Sequence, residues 1–281
     1  MKQRPAKTFM SRVRAILPDL HPTERRLAEA VLDFPGDMAG YSASEIAALA
    51  DVSNATVSRF VRKLGYASFD EARKAVRDEG RTGSALLRFG TGPDDTISTA
   101  ARHSEQSRLN VEATYAGLAP DEIDALAHAL HSARRVWIAG FRAGYPLASY
   151  LGWQIKQVVP NVSVLPHPGE TLAESAATFE PEDVAVILLL RRNPKLAWSL
   201  ADTAVVSGAQ VALIGDVQSM EALPARWHIT CDTTSSGPLL NHVSVMAVCN
   251  LIAARTLEMS GSFGRQRMGD IEEMHDRLSE L

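Results

Sequence analysis

The sequence predicts an all-α N-terminal domain followed by an α/β domain built on a parallel five-stranded sheet. Two observations carry this. Residues 1–78 read as helix after helix, with short connectors containing Pro35, Gly36 and Gly40 and no convincing strand. From residue 134 short β-branched and apolar runs alternate with helical stretches, the pattern of parallel strands covered on both faces. A length of 281 residues with 46% hydrophobic content is enough for two cores.

Taken in order, Thr23 can cap a helix running through Phe34, and Ser42 or Ser44 opens a segment carrying Ile46, Ala47 and Leu49. Ser53 can cap the next helix, and Gly65 can end it in the left-handed conformation. The stretch from Gly80 to Asp95 is rich in glycine and reads as a linker, and residues 96–133 read as helical again. Strands are expected at 136–139, 162–165, 184–190, 211–214 and 227–230. Crossover helices are expected at 144–159, 170–179, 195–208 and 238–260. The limits that follow are 1–80 for the helical domain, 81–125 for a linker and connecting helix, 126–265 for the α/β domain and 266–281 for a C-terminal helix.

The formal charge of −4 divides into +3 over residues 1–81 and −7 over residues 82–281, so the basic side lies at the N-terminus. Cys231 and Cys249 stand 18 positions apart without histidines at metal spacing, which argues against a disulfide framework and a zinc site. The longest aliphatic run, 184–190, is far below the ~20 residues that span a bilayer, and no secretory signal is visible. The expectation is a soluble protein of a reducing cytoplasm, with no membrane partner, no metal and no cofactor. No G-x-S-x-G, H-E-x-x-H or G-x-x-x-x-G-K-[ST] occurs, and no catalytic residue is assigned.

The segment from Ser44 to Gly65 contains two helices joined by a tight turn. At about 100° per residue, Val57, Phe60, Val61 and Leu64 form one apolar stripe. The opposite face presents Ala55, Ser58, Arg59 and Arg62, flanked by Asn54, Thr56 and Lys63, with no carboxylate. Cations neutralise phosphate, Arg, Asn, Ser and Thr can reach base edges in a major groove, and a helix N-terminus favours a phosphate. A merely solvated polar face is the alternative, disfavoured by the short turn, the matching preceding helix and the missing acidic residues.

The residues Tyr41-Ser42-Ala43-Ser44-Glu45-Ile46-Ala47, the run from Val52 to Tyr66 and Phe69 resemble the helix-turn-helix domain of the RpiR/MurR family of bacterial transcriptional regulators. That family pairs this domain with a C-terminal SIS (sugar isomerase) domain that usually senses phosphosugars, so the resemblance covers nearly the whole chain. It implies a double-stranded DNA operator contacted by Ser42, Ser44, Ser53, Asn54, Ala55, Thr56, Ser58, Arg59, Arg62 and Lys63. It also implies a homodimer or homotetramer and a cytoplasmic, nucleoid-associated bacterial protein.

For the effector, Gly140, Phe141, Arg142 and Ala143 follow the first strand, where glycines allow close approach and Arg142 can grip an anion, although a plain strand-to-helix turn reads the same. Arg191, Arg192 and Asn193 follow the third strand and suggest anion recognition; surface salt bridges are the alternative. SIS domains that bind phosphosugars carry a Ser-rich turn there, and Leu190, Arg191 and Arg192 replace it, so the usual cradle is absent and another anionic metabolite fits. Ser235 and Ser236 can add donors or simply cap the last helix, and His242, placed one turn inside that helix, can face the ligand or a partner subunit. The expected function is a DNA-binding regulator that senses a small anionic carbohydrate derivative, not an enzyme. The alternative is a sugar-phosphate isomerase using Glu170 and His242.

Overall fold

The structure is a computed structural model that describes residues 8–33, 38, 41–82, 99–191, 194–216, 220, 223–237 and 239–280. The chain packs as two units, Met1–His103 with Ser235–Leu240, and Ser104–Thr234 with Asn241–Leu281. Most of the expected linker, and the connectors at 34–37 and 39–40, lie outside the described residues.

The first unit holds α1 (Phe9–Ile16), α2 (Pro22–Asp33), α3 (Ala43–Leu49), α4 (Asn54–Lys63) and α5 (Phe69–Thr82). Each exposes polar residues on one side and buries an apolar stripe on the other. Phe9, Val13, Leu27, Ala28, Ile46, Val57, Phe60, Val61 and Val76 meet in one core. The start of α2 differs from expectation. Pro22 opens the helix, where its missing N–H is no loss, and the Arg25 N–H bonds the His21 carbonyl at 2.8 Å; Thr23 therefore lies within the first turn and is not the cap.

The second unit contains α6 (Thr99–Ala116, from Ser104 onward), α7 (Pro120–Ser132), β1 (Val136–Gly140), α8 (Gly144–Lys156), β2 (Val162–Leu165), α9 (Leu172–Ala176), β3 (Val184–Leu189), α10 (Lys195–Val206), β4 (Gln210–Gly215), β5 (Trp227–Thr230) and α11 (Val243–Leu278). The five strands are all parallel, in the order β2-β1-β3-β4-β5, with Ile138 opposite Val164 and Val186, and Val186 opposite Ala212. Side chains alternate across the sheet. Ile138, Val184, Val186, Leu188, Ala212 and Ile214 face a core shared with α7, α8 and α11. Trp137, Ala185, Ile187, Leu189, Val211 and Leu213 face a second core with α10. The parallel five-stranded α/β prediction is met.

The helical reading of 96–133 holds where the residues are described, as two helices parted where Gly117 ends α6 and Pro120 begins α7. Two helix expectations are corrected. The helix expected at 170–179 shrinks to five residues. The last helix begins at Val243 and continues to Leu278 through position 265, with a non-helical residue at Gly261 (φ 57°, ψ −126°). An 18-residue window of α11 reaches a mean hydropathy of 1.3, long and apolar enough to cross a membrane by composition, but 44% of it is buried in the protein as core helix.

Candidate nucleic-acid interface and effector crevice

The helix pair α3–α4 is set by its caps. Ser42 and Glu45 form a reciprocal capping box at the start of α3, and Ser53 Oγ accepts from the Thr56 N–H at 3.2 Å at the start of α4. Between them Asp51 adopts a left-handed backbone (φ 51°), held by Arg26, which donates to its carbonyl at 3.1 Å. Gly65 (φ +90°) closes α4, its N–H bonding the Arg62 carbonyl, and Arg12 donates to the Leu64 carbonyl at 2.9 Å.

Val57, Phe60, Val61 and Leu64 are all buried, so α4 is anchored by its apolar stripe. Ser53, Asn54, Ala55, Ser58, Arg59, Arg62 and Lys63 are exposed, as are Ser42 and Ser44 on α3. Asn54 Nδ2 donates to Ser44 Oγ at 3.1 Å and ties the two helix N-termini together. Two residues depart from the expected face. Thr56 is only 3% exposed, with its hydroxyl 3.0 Å from Ser53 Oγ. Lys63 Nζ lies 2.6 Å from Glu24 Oε2, a carboxylate only 8% exposed, so its charge is matched inside the domain. The helical wheel holds the signal: positions 56, 60 and 63 fall within about 60° of one another, on the Phe60 side. Among the described residues, Arg59 and Arg62 meet no carboxylate, which makes them the available cations of this face.

In the second unit, the order of the sheet reverses between β1 and β3, and their carboxyl ends open the crevice where such sheets seat ligands. Gly140 is required there: a Cβ on it would stand 2.2 Å from the Gly144 carbonyl oxygen. Phe141 is buried, whereas Arg142 and Ala143 are exposed, Arg142 with a left-handed backbone (φ 54°) that a non-glycine residue adopts only under strain.

Arg191 is salt-bridged, the alternative that stood beside anion recognition. Its N–H donates to Asp216 Oδ1 at 2.7 Å and its Nε stands 3.1 Å from Asp216 Oδ2, so a buried carboxylate matches its charge. Asp216, just past β4, went unnoticed in the sequence because nothing local marks a partner 25 positions away. Thr233 is fully buried and donates its hydroxyl to the same carboxylate. Arg192 and Asn193 lie outside the described residues, as does Pro238. Ser235 and Ser236 belong to the segment that groups with the first unit, where Ser235 Oγ accepts from the Gly237 N–H at 3.1 Å.

His242 is the N-cap residue of α11, one position before the helix and not one turn inside it. Burial holds its imidazole below the ordinary pKa, nearby Asp216 opposing and Arg191 adding to the shift. Its Nε2 is buried and has no hydrogen-bond partner among the described residues. Glu170 lies elsewhere: with His167, Arg135, Trp137 and Glu174 it lines a hollow of about 450 Å3, and His242 is not part of that lining.

Residues 8–82 match the family profile described as helix-turn-helix domain, rpiR family. The chain is 25% identical over 143 residues to the HTH-type transcriptional regulator HexR of Pseudomonas aeruginosa, covering 50% of each protein. It is 26% identical over 217 residues to YfhH of Escherichia coli, named as an HTH-type transcriptional regulator, covering 72% of this chain and 73% of that one. A Providencia stuartii relative, also named as an HTH-type transcriptional regulator, aligns at 28% identity over 47% of this chain and 48% of its own length. The chain thus spans about half the length of the HexR and Providencia relatives it matches. Among solved structures, the sugar isomerase domain of an RpiR transcription factor from Sphaerobacter thermophilus superposes with a TM-score of 0.59 at 20% identity, over 63% of this chain and 99% of that one. The Vibrio vulnificus NanR protein complexed with ManNAc-6P gives 0.58 at 15% identity, over 96% and 99%. At these identities the likeness establishes the fold alone, an α/β domain with the fold of that sugar isomerase domain.

Proposed function

We propose, from the match of residues 8–82 to the rpiR helix-turn-helix profile, that the chain is a DNA-binding transcriptional regulator whose SIS-type domain senses a small carbohydrate-derived metabolite. The observation that carries the reading is the exposed face of α4, where, among the described residues, Arg59 and Arg62 meet no carboxylate beside Asn54, Ala55 and Ser58, and Arg59 donates to Thr56 Oγ1 at 3.5 Å. An α-helix fits the major groove, the guanidinium groups reach phosphate or guanine, and the α4 N-terminus favours a phosphate. Ser42, Ser44 and Ser53 stand at the helix N-termini, where they position the pair on the duplex. The relatives' names as transcriptional regulators support the same reading.

The protein acts as a homodimer or homotetramer in a bacterial cytoplasm, on an operator with half-sites about 34–36 Å apart. Support comes from the far half of α11, where Phe263, Met268, Met274 and Leu278 are exposed and fall within an arc of about 140°. A second chain covering this stripe would remove apolar surface from water. NanR is described with a phosphorylated amino sugar, which supports a carbohydrate derivative as effector here. Its site is the crevice at Gly140 to Ala143, Arg191 and His242. The domain limits of 1–80, 81–125, 126–265 and 266–281 stand as part of this proposal. The isomerase alternative gains no support, because Glu170 and His242 do not line one hollow.

The test is selection of bound duplexes from a randomised double-stranded library by the full chain, followed by anisotropy titration of the winning duplex at fixed salt. A specific duplex is expected, with binding lost in Arg59→Ala/Arg62→Ala while the thermal transitions stay in place. Binding unchanged in that variant would overturn the assignment of the face.

A further inference from the structure

Three donors from two different loops converge on one carboxylate at the crevice. The Arg191 N–H at the end of β3 gives 2.7 Å to Asp216 Oδ1, Arg191 Nε stands 3.1 Å from Oδ2, and the Thr233 hydroxyl past β5 donates to Oδ2. A strand-end backbone N–H, a guanidinium edge and a hydroxyl are the groups that hold phosphoryl or carboxylate oxygens of ligands. Here they hold a side chain of the protein itself, and that side chain is only 1% exposed.

We propose that Asp216 determines the specificity of the crevice: its carboxylate fills the place of an effector's phosphoryl group, so the site takes a neutral, hydroxyl-bearing carbohydrate derivative and rejects a phosphomonoester. The proposal rests on the effector-sensing reading above and names the ligand class for it.

The surrounding polar groups agree. Thr234 Oγ1 and N–H both donate to Asp232 Oδ1, at 2.6 and 2.8 Å, and the Asp232 N–H donates to Thr114 Oγ1 at 2.9 Å. Asn110 Nδ2 donates to the Thr234 carbonyl at 2.7 Å, and the Ser244 hydroxyl to the Asp232 carbonyl. These bonds pin the loop after β5, in which Thr233 is fully buried while Thr234 is exposed but has its hydroxyl and N–H engaged by Asp232. Arg191 and Asp216 cancel one another's charge, and a dianionic phosphate arriving beside them would meet a carboxylate already in its place. The buried His242 Nε2 has no hydrogen-bond partner among the described residues and can donate to or accept from a sugar hydroxyl.

The experiment measures thermal shift and calorimetric binding of the full chain with two probes, inorganic phosphate and ManNAc-6P. The wild-type chain is expected to show no saturable response to either, whereas Asp216→Ser, which empties the slot and frees Arg191, gains affinity for phosphate by at least about tenfold, as expected for a regained charge-assisted hydrogen bond. Asp216→Asn, which keeps the volume but drops the charge, is expected to fall between them. Saturable binding of either probe to the wild-type chain overturns the proposal, even if neither variant folds. So does a folded Asp216→Ser that gains nothing. Duplex binding is read on the same samples: its absence sinks the regulator reading, while the phosphate arm still decides the role of Asp216.

Discussion

Lys63 separates what the sequence suggests from what the packing dictates. It sits in a basic run beside Arg62, yet its ammonium is 2.6 Å from Glu24, whose side chain is 8% exposed against 44% for the lysine. Lys63→Ala strands a mostly buried carboxylate. Half of the pair faces water, so the cost belongs at the low end for broken buried pairs, about 1–3 kcal/mol. For a helical domain of this size each kcal/mol moves Tm by roughly 4–8 °C. Calorimetry of the full chain should therefore show the N-terminal transition lowered by roughly 4–24 °C, and a Glu24→Gln/Lys63→Ala cycle should return a positive coupling. On DNA, each phosphate neutralised contributes about 0.9 to the salt slope. If Arg62 faces a phosphate and Lys63 does not, Arg62→Ala lowers the slope by about 0.9 and Lys63→Ala leaves it unchanged. A Lys63→Ala protein with unaltered stability and a slope reduced as far as that of Arg62→Ala would refute this reasoning.

Two further predictions concern the α/β unit. Because burial lowers the pKa of His242 from 6.5, the folded state binds its proton less readily than the unfolded chain; the associated stability is present above pH 6.5 and is lost as pH falls toward the folded value. Urea midpoints should drop between pH 7.5 and 5.5, and His242→Gln should flatten that dependence; equal slopes in both proteins would refute it. Gly140→Ala drives a Cβ to 2.2 Å from a backbone carbonyl, so a loss of about 1–3 kcal/mol or more is expected, read as a lower urea midpoint at constant m-value, and an unshifted midpoint would contradict the close approach.

Features encoded locally were legible in the sequence. The central strands stand out because 136–139, 184–190 and 211–214 are unbroken apolar runs, and a strand buried on both faces leaves no polar alternation to confuse the reading. The α4 stripe and the Ser53 cap are equally local, set by residues three or four apart. An error arises where a flanking position was left on the outer face, as with Thr56. The ion pairs that decide the chemistry were out of reach. Lys63 meets Glu24 across 39 positions and Arg191 meets Asp216 across 25, and only the folded packing brings those charges together. The same distance effect hid the carboxylate that Arg191 meets at the crevice.

Amide hydrogen exchange of the full chain, with and without its selected duplex, tests the central claim most directly. Peptides covering residues 53–63 are expected to gain protection on DNA, together with those at Ser42 and Ser44, and the protection should fade as salt rises. Protection confined to other segments, with 53–63 exchanging as in the free protein, would contradict the account.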